Sequence, residues 1–323
     1  MAASCQNVSQ TLEDVISWRP VLEPVLRAFE PLLAAQRELA EELANGLYGL
    51  SLPELQSDRL SQGVSLLAGA RLSGVAEPLR VCADKLLPLF AAMEALTPHM
   101  PALQSYFLKP VTEPGSSDDE GSHRDSRELL AEAMVSGDRN AVTKIAADNG
   151  LEPLILEFAA GFMVSTVLRA MVAKALPSDG QAPWNQGDIW QQGYCPVCGT
   201  LPSVGWLDKP MVDEKNAYLA GGGGKKHLHC GQCGANWSFR RGACPSCGEE
   251  GNGVIEMLRE SGIAHGERLD WCTKCKAYCP TVDLREREFV PDLDTATIGM
   301  MHLDMVAARK KLRPLRPSFW NMF

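Results

Sequence analysis

Apolar residues recur at three- and four-residue intervals through the first part of the chain. Val21, Leu22, Val25, Leu26, Phe29, Leu32 and Leu33 fall into this pattern, with Glu23, Arg27 and Glu30 between them. It continues through Leu39 and Leu43 and stops near Gly46. Leu79, Cys82, Leu86, Leu87, Phe90 and Met93 repeat it within residues 79–96. Residues 10–112 are therefore predicted to be mostly helical, with Pro24, Pro31 and Pro88 marking starts, breaks or kinks. Helix is predicted again over 127–147, from Leu129, Leu130, Ala133, Met134, Val142, Ile145 and Ala146, and over 151–176. The most apolar stretch, 158–168, lies between Glu157 and Arg169; its about 11 residues fall short of the roughly 20 that span a bilayer. It predicts a buried helix and no membrane insertion.

The pattern also divides the chain. Residues 1–112 read as the first part of a helical domain and 127–177 as its second part, joined by an acidic flexible linker at 113–126, EPGSSDDEGSHRDS. His123 lies in that linker and is expected to be solvated. A second linker rich in turn residues covers 178–193, and beyond it the helical period disappears. Short runs such as VGWL, HLHC, NWSF, GVIEML, RLDWC and YCPTV then alternate with Gly, Pro and Cys, which predicts short strands and tight turns. They fill two small modules, 194–243 and 244–290. Residues 291–323 are predicted as a C-terminal helix, over 293–311, and a Pro-rich tail with exposed aromatics. The fold class is thus multidomain, α plus small β: an N-terminal helical bundle followed by two tandem modules.

Composition adds one fact to this picture, the placing of cysteine. Of eleven cysteines in 323 residues, eight fall in the 81-residue window 195–275. They form four pairs: Cys195-x-x-Cys198, Cys230-x-x-Cys233, Cys244-x-x-Cys247 and Cys272-x-x-Cys275. Random placement would give roughly 0.3–0.4 such pairs. The N-terminus shows no secretory pattern, so a cytoplasmic protein is expected, in which paired cysteines bind metal more often than they form disulfides. Two CxxC turns supply the four thiolates of a closed tetrahedral site for zinc or iron. Three turns end in Gly (CPVCG, CGQCG, CPSCG), which permits a left-handed backbone where the chain passes the ion.

The order of elements reads as a tandem zinc-ribbon or rubredoxin-like repeat. Cys195 to Cys233 would form one ribbon, turning at residues 221–224, and Cys244 to Cys275 the other, turning near Gly262 or Gly266. NWSFRR and AYCPTV would be third strands. A cross-braced pairing of first with third and second with fourth turns remains open at this point. The window lacks a substantial core of its own, so metal is expected to hold it folded; structural zinc sites contribute on the order of 10–16 kcal/mol. His227 and His229 could ligate, but each site already has four thiolates, and His229 reads as a strand residue beside the site. Cys82 reads as a small buried apolar residue and Cys279 as a strand residue.

Other chemistry is poorly supported. No HExxH, GxSxG or Walker sequence is present, and the four-glycine run before Lys225 and Lys226 fails the phosphate-loop spacing. A closed four-sulfur site has no open position for hydrolysis, so no catalytic residue is assigned. A zinc-ribbon nucleic-acid-binding or transcription-associated protein is the alternative reading, with Lys225, Lys226, Arg240 and Arg241 as a small basic patch. Residues 194–290, however, balance twelve Lys/Arg against twelve Asp/Glu, and the whole chain carries -9. Loading both sites takes the net charge to about -13 with zinc or about -11 with ferric iron. Nucleic acid is therefore not expected as a partner, and Arg240, Arg241, Lys274 and Lys276 read as local compensation for the thiolates.

CPVCGTLPSVGWL, HLHCGQCGANWSFRRGACPSCG and DWCTKCKAY resemble the formate dehydrogenase accessory proteins, the FdhE family. The resemblance covers most of the chain by layout, with its specific motifs in roughly 194–280. It implies a helical N-terminal part, two tandem rubredoxin-like modules, and Cys195, Cys198, Cys230, Cys233, Cys244, Cys247, Cys272 and Cys275 as ligands of two metal ions. It favours sequential pairing, and iron over zinc. It further implies a non-enzymatic cytoplasmic maturation factor for the catalytic subunit of a molybdenum- or tungsten-containing formate dehydrogenase. The acidic 113–126 segment, the four-glycine turn and Cys279 depart from the family pattern.

Overall fold

The computed structural model describes residues 5–111, 124–178, 180–209, 224–318 and 321. Most of the acidic segment, the first three glycines of the 221–224 turn and the aromatics near the C-terminus lie outside them. The helical domain begins with α1 (Val8–Trp18), started by a capping box in which Asn7 and Gln10 exchange side-chain and backbone hydrogen bonds. Val8, Leu12 and Val15 are its buried stripe, and they pack on Leu26 and Leu33 of α2 (Glu23–Asn45). Pro24 occupies the first turn of α2. Pro31 lies inside α2 and Pro88 inside α4 (Ala76–Ala91), both on exposed faces where water can take the carbonyl left without a donor. Neither ends its helix. Val21, expected in the apolar stripe, sits in the 3-10 turn before α2 and is exposed.

Between α2 and α4 the chain is mostly irregular, with one short helix, α3 (Ser57–Ser61), so helix is less continuous than the periodicity predicted. The 79–96 pattern also divides: α4 ends at Ala91, and Met93 and Leu96 fall in and beside a 3-10 turn leading to α5 (Met100–Phe107). The helix predicted over 127–147 is two, α6 (Ser126–Ser136) and α7 (Arg139–Asp148). Gly137 takes a left-handed φ of 72° between them, and Asp138 caps the second. Arg127 of α6 is buried and donates to the carbonyls of Phe107 and Lys109. It thereby ties together the two ends of the acidic segment.

The centre of the domain is α8 (Pro153–Ala175), 23 residues and buried on nearly every side. By length and composition it could cross a membrane, but 78% of its most apolar window is buried inside the protein. It is a core helix, as predicted. Residues 178–193, read as a linker from their turn residues, contribute two large anchors to the same core. Trp184 lies in a 3-10 turn (Pro183–Asp188) and donates from Nε1 to the Asn236 carbonyl at 2.9 Å; Trp190 donates to the Tyr194 carbonyl at 2.9 Å. Turn-rich sequence here builds a packed wedge.

The strands fall where the short apolar runs predicted: β1 (Val204–Leu207), β2 (Lys226–His229), β3 (Asn236–Phe239), β4 (Ile255–Leu258), β5 (Glu267–Cys272) and β6 (Ala277–Asp283). Each module is a three-stranded antiparallel ribbon, with order β1-β2-β3 in the first and β4-β5-β6 in the second. They are not separate sheets. Parallel pairing of β1 with β6, Gly205 opposite Thr281 and Leu207 opposite Asp283, fuses them into one sheet of order β3-β2-β1-β6-β5-β4, and β7 (Arg313–Pro314) adds to β6. Beneath the junction Lys226 of the first module reaches Asp270 of the second at 2.8 Å, both buried.

The C-terminal helix is also two pieces, α9 (Leu293–Gly299) and α10 (Met301–Arg309). Gly299 lies so close to α1 that a Cβ there would meet Val15 at 2.9 Å, and the chain turns after it to lay Met300, Leu303 and Ala307 on the sheet. These helices give the modules the apolar cover that their own sequence lacks.

Within this layer Tyr278 donates its hydroxyl to Asp304 at 2.8 Å. Burial raises the Asp304 carboxyl to about 6, against which the tyrosine bond acts only weakly. The folded state therefore keeps this proton to higher pH than the unfolded chain, and the associated stability is present below pH about 4 and lost as pH rises through about 6. Asp304→Asn keeps an acceptor for Tyr278 and carries no charge. At pH 7.5 it should be more stable than the parent by about 2–3 kcal/mol. Denaturant melts at pH 4 and 7.5 check this, and a gain of equal size at both pH values contradicts it.

Candidate metal centres

Each CxxC turn is built alike. The N–H of the residue after the second cysteine donates back to the carbonyl of the first: Gly199 to Cys195 at 3.0 Å, Gly234 to Cys230 at 2.8 Å, Gly248 to Cys244 at 3.0 Å and Lys276 to Cys272 at 2.9 Å. All four residues take a left-handed φ, 78°, 75°, 75° and 63°. Three are the glycines that the sequence singled out. The fourth, Lys276, accepts a conformation that L side chains disfavour, and its ammonium lies 5.0 Å from the centre of the Trp271 ring.

The turns meet in sequential pairs, as the family resemblance implied; the cross-braced alternative is not what the chain adopts. Cys195, Cys198, Cys230 and Cys233 form one group and Cys244, Cys247, Cys272 and Cys275 the other, with all sulfurs of a group within 4.8 Å of one another. In the first, Cys195 and Cys233 lie 3.4 Å apart, as do Cys198 and Cys230; in the second, Cys244 and Cys275 lie 3.6 Å apart and Cys247 and Cys272 3.8 Å. Four ligands at the zinc–sulfur bond length of about 2.3 Å would place tetrahedral sulfurs about 3.8 Å apart. None of the eight is in a disulfide.

The electrostatics of the first group also call for a cation. Burial pushes the Cys195 and Cys233 thiols far up. Burial acts the same way on Cys230, but hydrogen bonds from the other three thiols outweigh it and hold that sulfur down as a thiolate. Four buried sulfurs this close cannot all ionise together without a cation. A divalent or trivalent ion among them lets all four ionise. Each group could thus hold one metal ion, and the soft, closed donor set suits zinc and iron alike.

The surroundings of the first site come mostly from outside its module. Leu66 and Leu67 donate to the carbonyls of Pro196 and Val197 at 2.8 and 2.9 Å. From α8, Ser165 Oγ donates to the Gln232 carbonyl at 2.6 Å and Arg169 Nη2 to the Gly231 carbonyl at 2.9 Å. Ser165 and Arg169 are four residues apart on one face of a mostly apolar helix. Arg316 contributes a second positive charge near Cys230 and donates to Gln232 at 3.3 Å. Arg169 also pairs with Asp294 at 3.0 Å, which Arg37 reaches too. Burial would raise the Asp294 carboxyl, but Arg169, Arg37 and His229 hold it far below the usual range.

Beside the first group the positive charge is not one that the sequence singled out; Lys274 and Lys276, which it did single out, flank Cys275 of the second. Arg240 pairs with Glu250, and Lys276 lies over Trp271. At the first group Arg316 supplies positive charge to Cys230, and Arg169 binds the turn that carries that cysteine; the one visible sign was a lone arginine inside the most apolar helix. His229 is no ligand. It sits on β2 with Nδ1 3.0 Å from Asn236 Oδ1 and Nε2 3.3 Å from Asp294 Oδ1, and His227 stacks on Trp206 and meets Asp208 at 2.8 Å. Cys82 and Cys279 are buried, and burial raises both thiols to about 12. Lys225, Lys226, Arg240 and Arg241 do share a cleft of about 510 Å³ with Trp190 and Phe239, but Lys226 and Arg240 are already committed to carboxylates.

Fold and sites together define a helical-domain protein that carries two fused four-cysteine modules. No family model matches the sequence. It is 31% identical over 131 residues to the FdhE homolog of Aquifex aeolicus, spanning 40% of this chain and 42% of that one. It is 30% identical over 112 residues to an FdhE homolog of Shewanella baltica, spanning 35% and 32%. The matched region is thus less than half the length of these curated relatives. The crystal structure of the FdhE protein from Pseudomonas aeruginosa shares the fold, with a TM-score of 0.55 and 19% identity over 97% of this chain and 93% of that one. The chain is thus similar in sequence to FdhE homologs over part of its length and similar in fold to an FdhE protein.

Purified full-length protein should hold two ions per chain, each in an all-sulfur shell. Metal analysis with X-ray absorption checks this; a single ion, or a shell containing imidazole nitrogen, contradicts it. His229→Ala should keep both ions while lowering thermal stability, since it removes two hydrogen bonds beside the site and no ligand.

Proposed function

We propose that the protein is a non-enzymatic, cytoplasmic accessory factor in the maturation of a formate dehydrogenase, that it binds that enzyme's catalytic subunit, and that both four-cysteine sites carry iron. One observation carries this reading: paired four-sulfur sites on a helical domain, in the fold of an FdhE protein. The family to which the cysteine motifs are similar acts on molybdenum- or tungsten-containing formate dehydrogenases. Iron in a tetrahedral four-thiolate shell supports one-electron chemistry, whereas zinc does not. Closed sulfur shells without an open ligand position accord with a role in binding and assembly.

The nucleic-acid reading has less support. The basic cleft is small and half of its cations are paired, while each loaded site adds negative charge to a neutral segment. Affinity capture with the tagged full-length chain from anaerobically grown cells should recover the catalytic subunit of a formate dehydrogenase. Recovery of RNA or DNA in its place would overturn the reading. Protein isolated anaerobically should carry iron in amounts exceeding zinc, and zinc at both sites would overturn the iron assignment.

A further inference from the structure

The two cysteine groups are alike in chemistry and unlike in setting. Cys195, Cys198, Cys230 and Cys233 are 0%, 4%, 0% and 0% exposed and belong to the same apolar core as α4 and α8. Both turns of this site are hydrogen-bonded by the helical domain, through Leu66, Leu67, Ser165 and Arg169. Opening it means breaking that interface.

The second site stands outside the core. Cys244 and Cys272 are buried, but Cys247 is exposed and Cys275 half-buried. Its apolar surroundings are two small clusters, Val254 with Ile255 on one side and Ala277, Cys279 and Leu315 beside Cys275 on the other. The partners of its turns come from its own hairpin, where Thr273 bonds to the Val254 carbonyl, and from the C-terminal segment, where Arg313 donates to the Cys275 carbonyl at 3.1 Å. Lys274 and Lys276, both exposed, flank Cys275 and present positive charge at the open edge.

We propose that the first site is permanent and structural, whereas the second is an exchange site that accepts a thiol ligand from solution or from a partner protein at the position of Cys247. The proposal rests on the reading of both groups as metal sites. In the exchange, the bond from the ion to Cys247 Sγ breaks and a bond to the incoming sulfur forms. The incoming thiol gives up its proton, Cys247 takes one, and no electron moves. A thiol fits because the donor set is all sulfur. Access is the physical cause: the entering ligand reaches the exposed sulfur without any part of the core opening.

The test uses the full-length chain loaded with zinc and the chromogenic chelator 4-(2-pyridylazo)resorcinol. Release should occur in two phases of one ion each, separated by about tenfold or more in rate. Glutathione should accelerate the fast phase only. Iodoacetamide added during the fast phase should label Cys247 before any of Cys195, Cys198, Cys230 or Cys233, as read by peptide mass spectrometry. Cys247→Ser should lose the fast ion and keep both the slow ion and its helical circular dichroism. Two ions leaving in one phase, labelling of the first group during the fast phase, or loss of both ions from Cys247→Ser would overturn the proposal. A chain holding fewer than two ions would overturn the two-site reading itself, and the proposal with it.

Discussion

Four sulfurs packed within bonding distance of one ion, inside an apolar core, set the conditions for the rest of this molecule. Ionised and without a cation, they would repel one another in a medium that screens poorly; protonated, they would leave a polar knot where the helical domain most needs to close. A metal ion would remove the conflict and make Cys195, Cys198, Cys230 and Cys233 the joint between helices and sheet. The sulfurs lie in the same continuous core as Leu86, Phe90, Met163 and Trp237. The bundle and the first ribbon are therefore one folding problem.

Guanidinium groups from distant segments hold the first group in place, and one of them, Arg316, also brings positive charge to Cys230. Arg169 comes from α8 and Arg316 from the C-terminal segment, and Arg169 is held in turn by Asp294 at the start of α9. A second buried group, Glu267 between Arg19 and Arg287 at 2.8 and 2.7 Å, joins α1 to the second ribbon. Burial dominates there and raises the Glu267 carboxyl even with two arginines beside it. Buried ion pairs of this kind are weak sources of net stability. Their effect is on register: each carboxylate has partners from two or three elements, so the elements dock in one way.

What could be read from the sequence and what could not divide along the same line. CxxC spacing, glycine after the second cysteine and short alternating runs are local signals, and they located the eight sulfurs and six of the strands. The apolar period likewise located α2, α4 and α8. Helix breaks were missed where a single residue decides them, Gly137 by its left-handed φ and Gly299 by its contact with Val15. The longer-range features left no local mark. Nothing in VGWL or YCPTV announces that they pair in parallel, and nothing in PSDGQAPWNQGDIW separates a mobile tether from a wedge with two buried tryptophans. Arg169 was visible as an oddity in an apolar helix, but its target lies 62 residues away in the chain at Gly231.

Fusion of the ribbons into one sheet changes what the exposed second site can do. An isolated ribbon of this size would move independently of the helices, and a ligand reaching Cys247 would meet a tethered bead. Here β6 is buried along its whole length between β1 and β5, and Lys226 and Asp270 cross the junction in a buried pair. Gly193 lies so close to Pro245 that a Cβ there would fall 2.2 Å from the proline carbonyl, so the base of the second module also sits against the wedge before the first. Three kinds of contact, backbone pairing, a buried charge pair and close backbone approach, hold the exposed site on a frame fixed to the helical domain. Exposure at Cys247 therefore comes from position on a rigid surface, and that edge is held in a defined orientation to the helical domain.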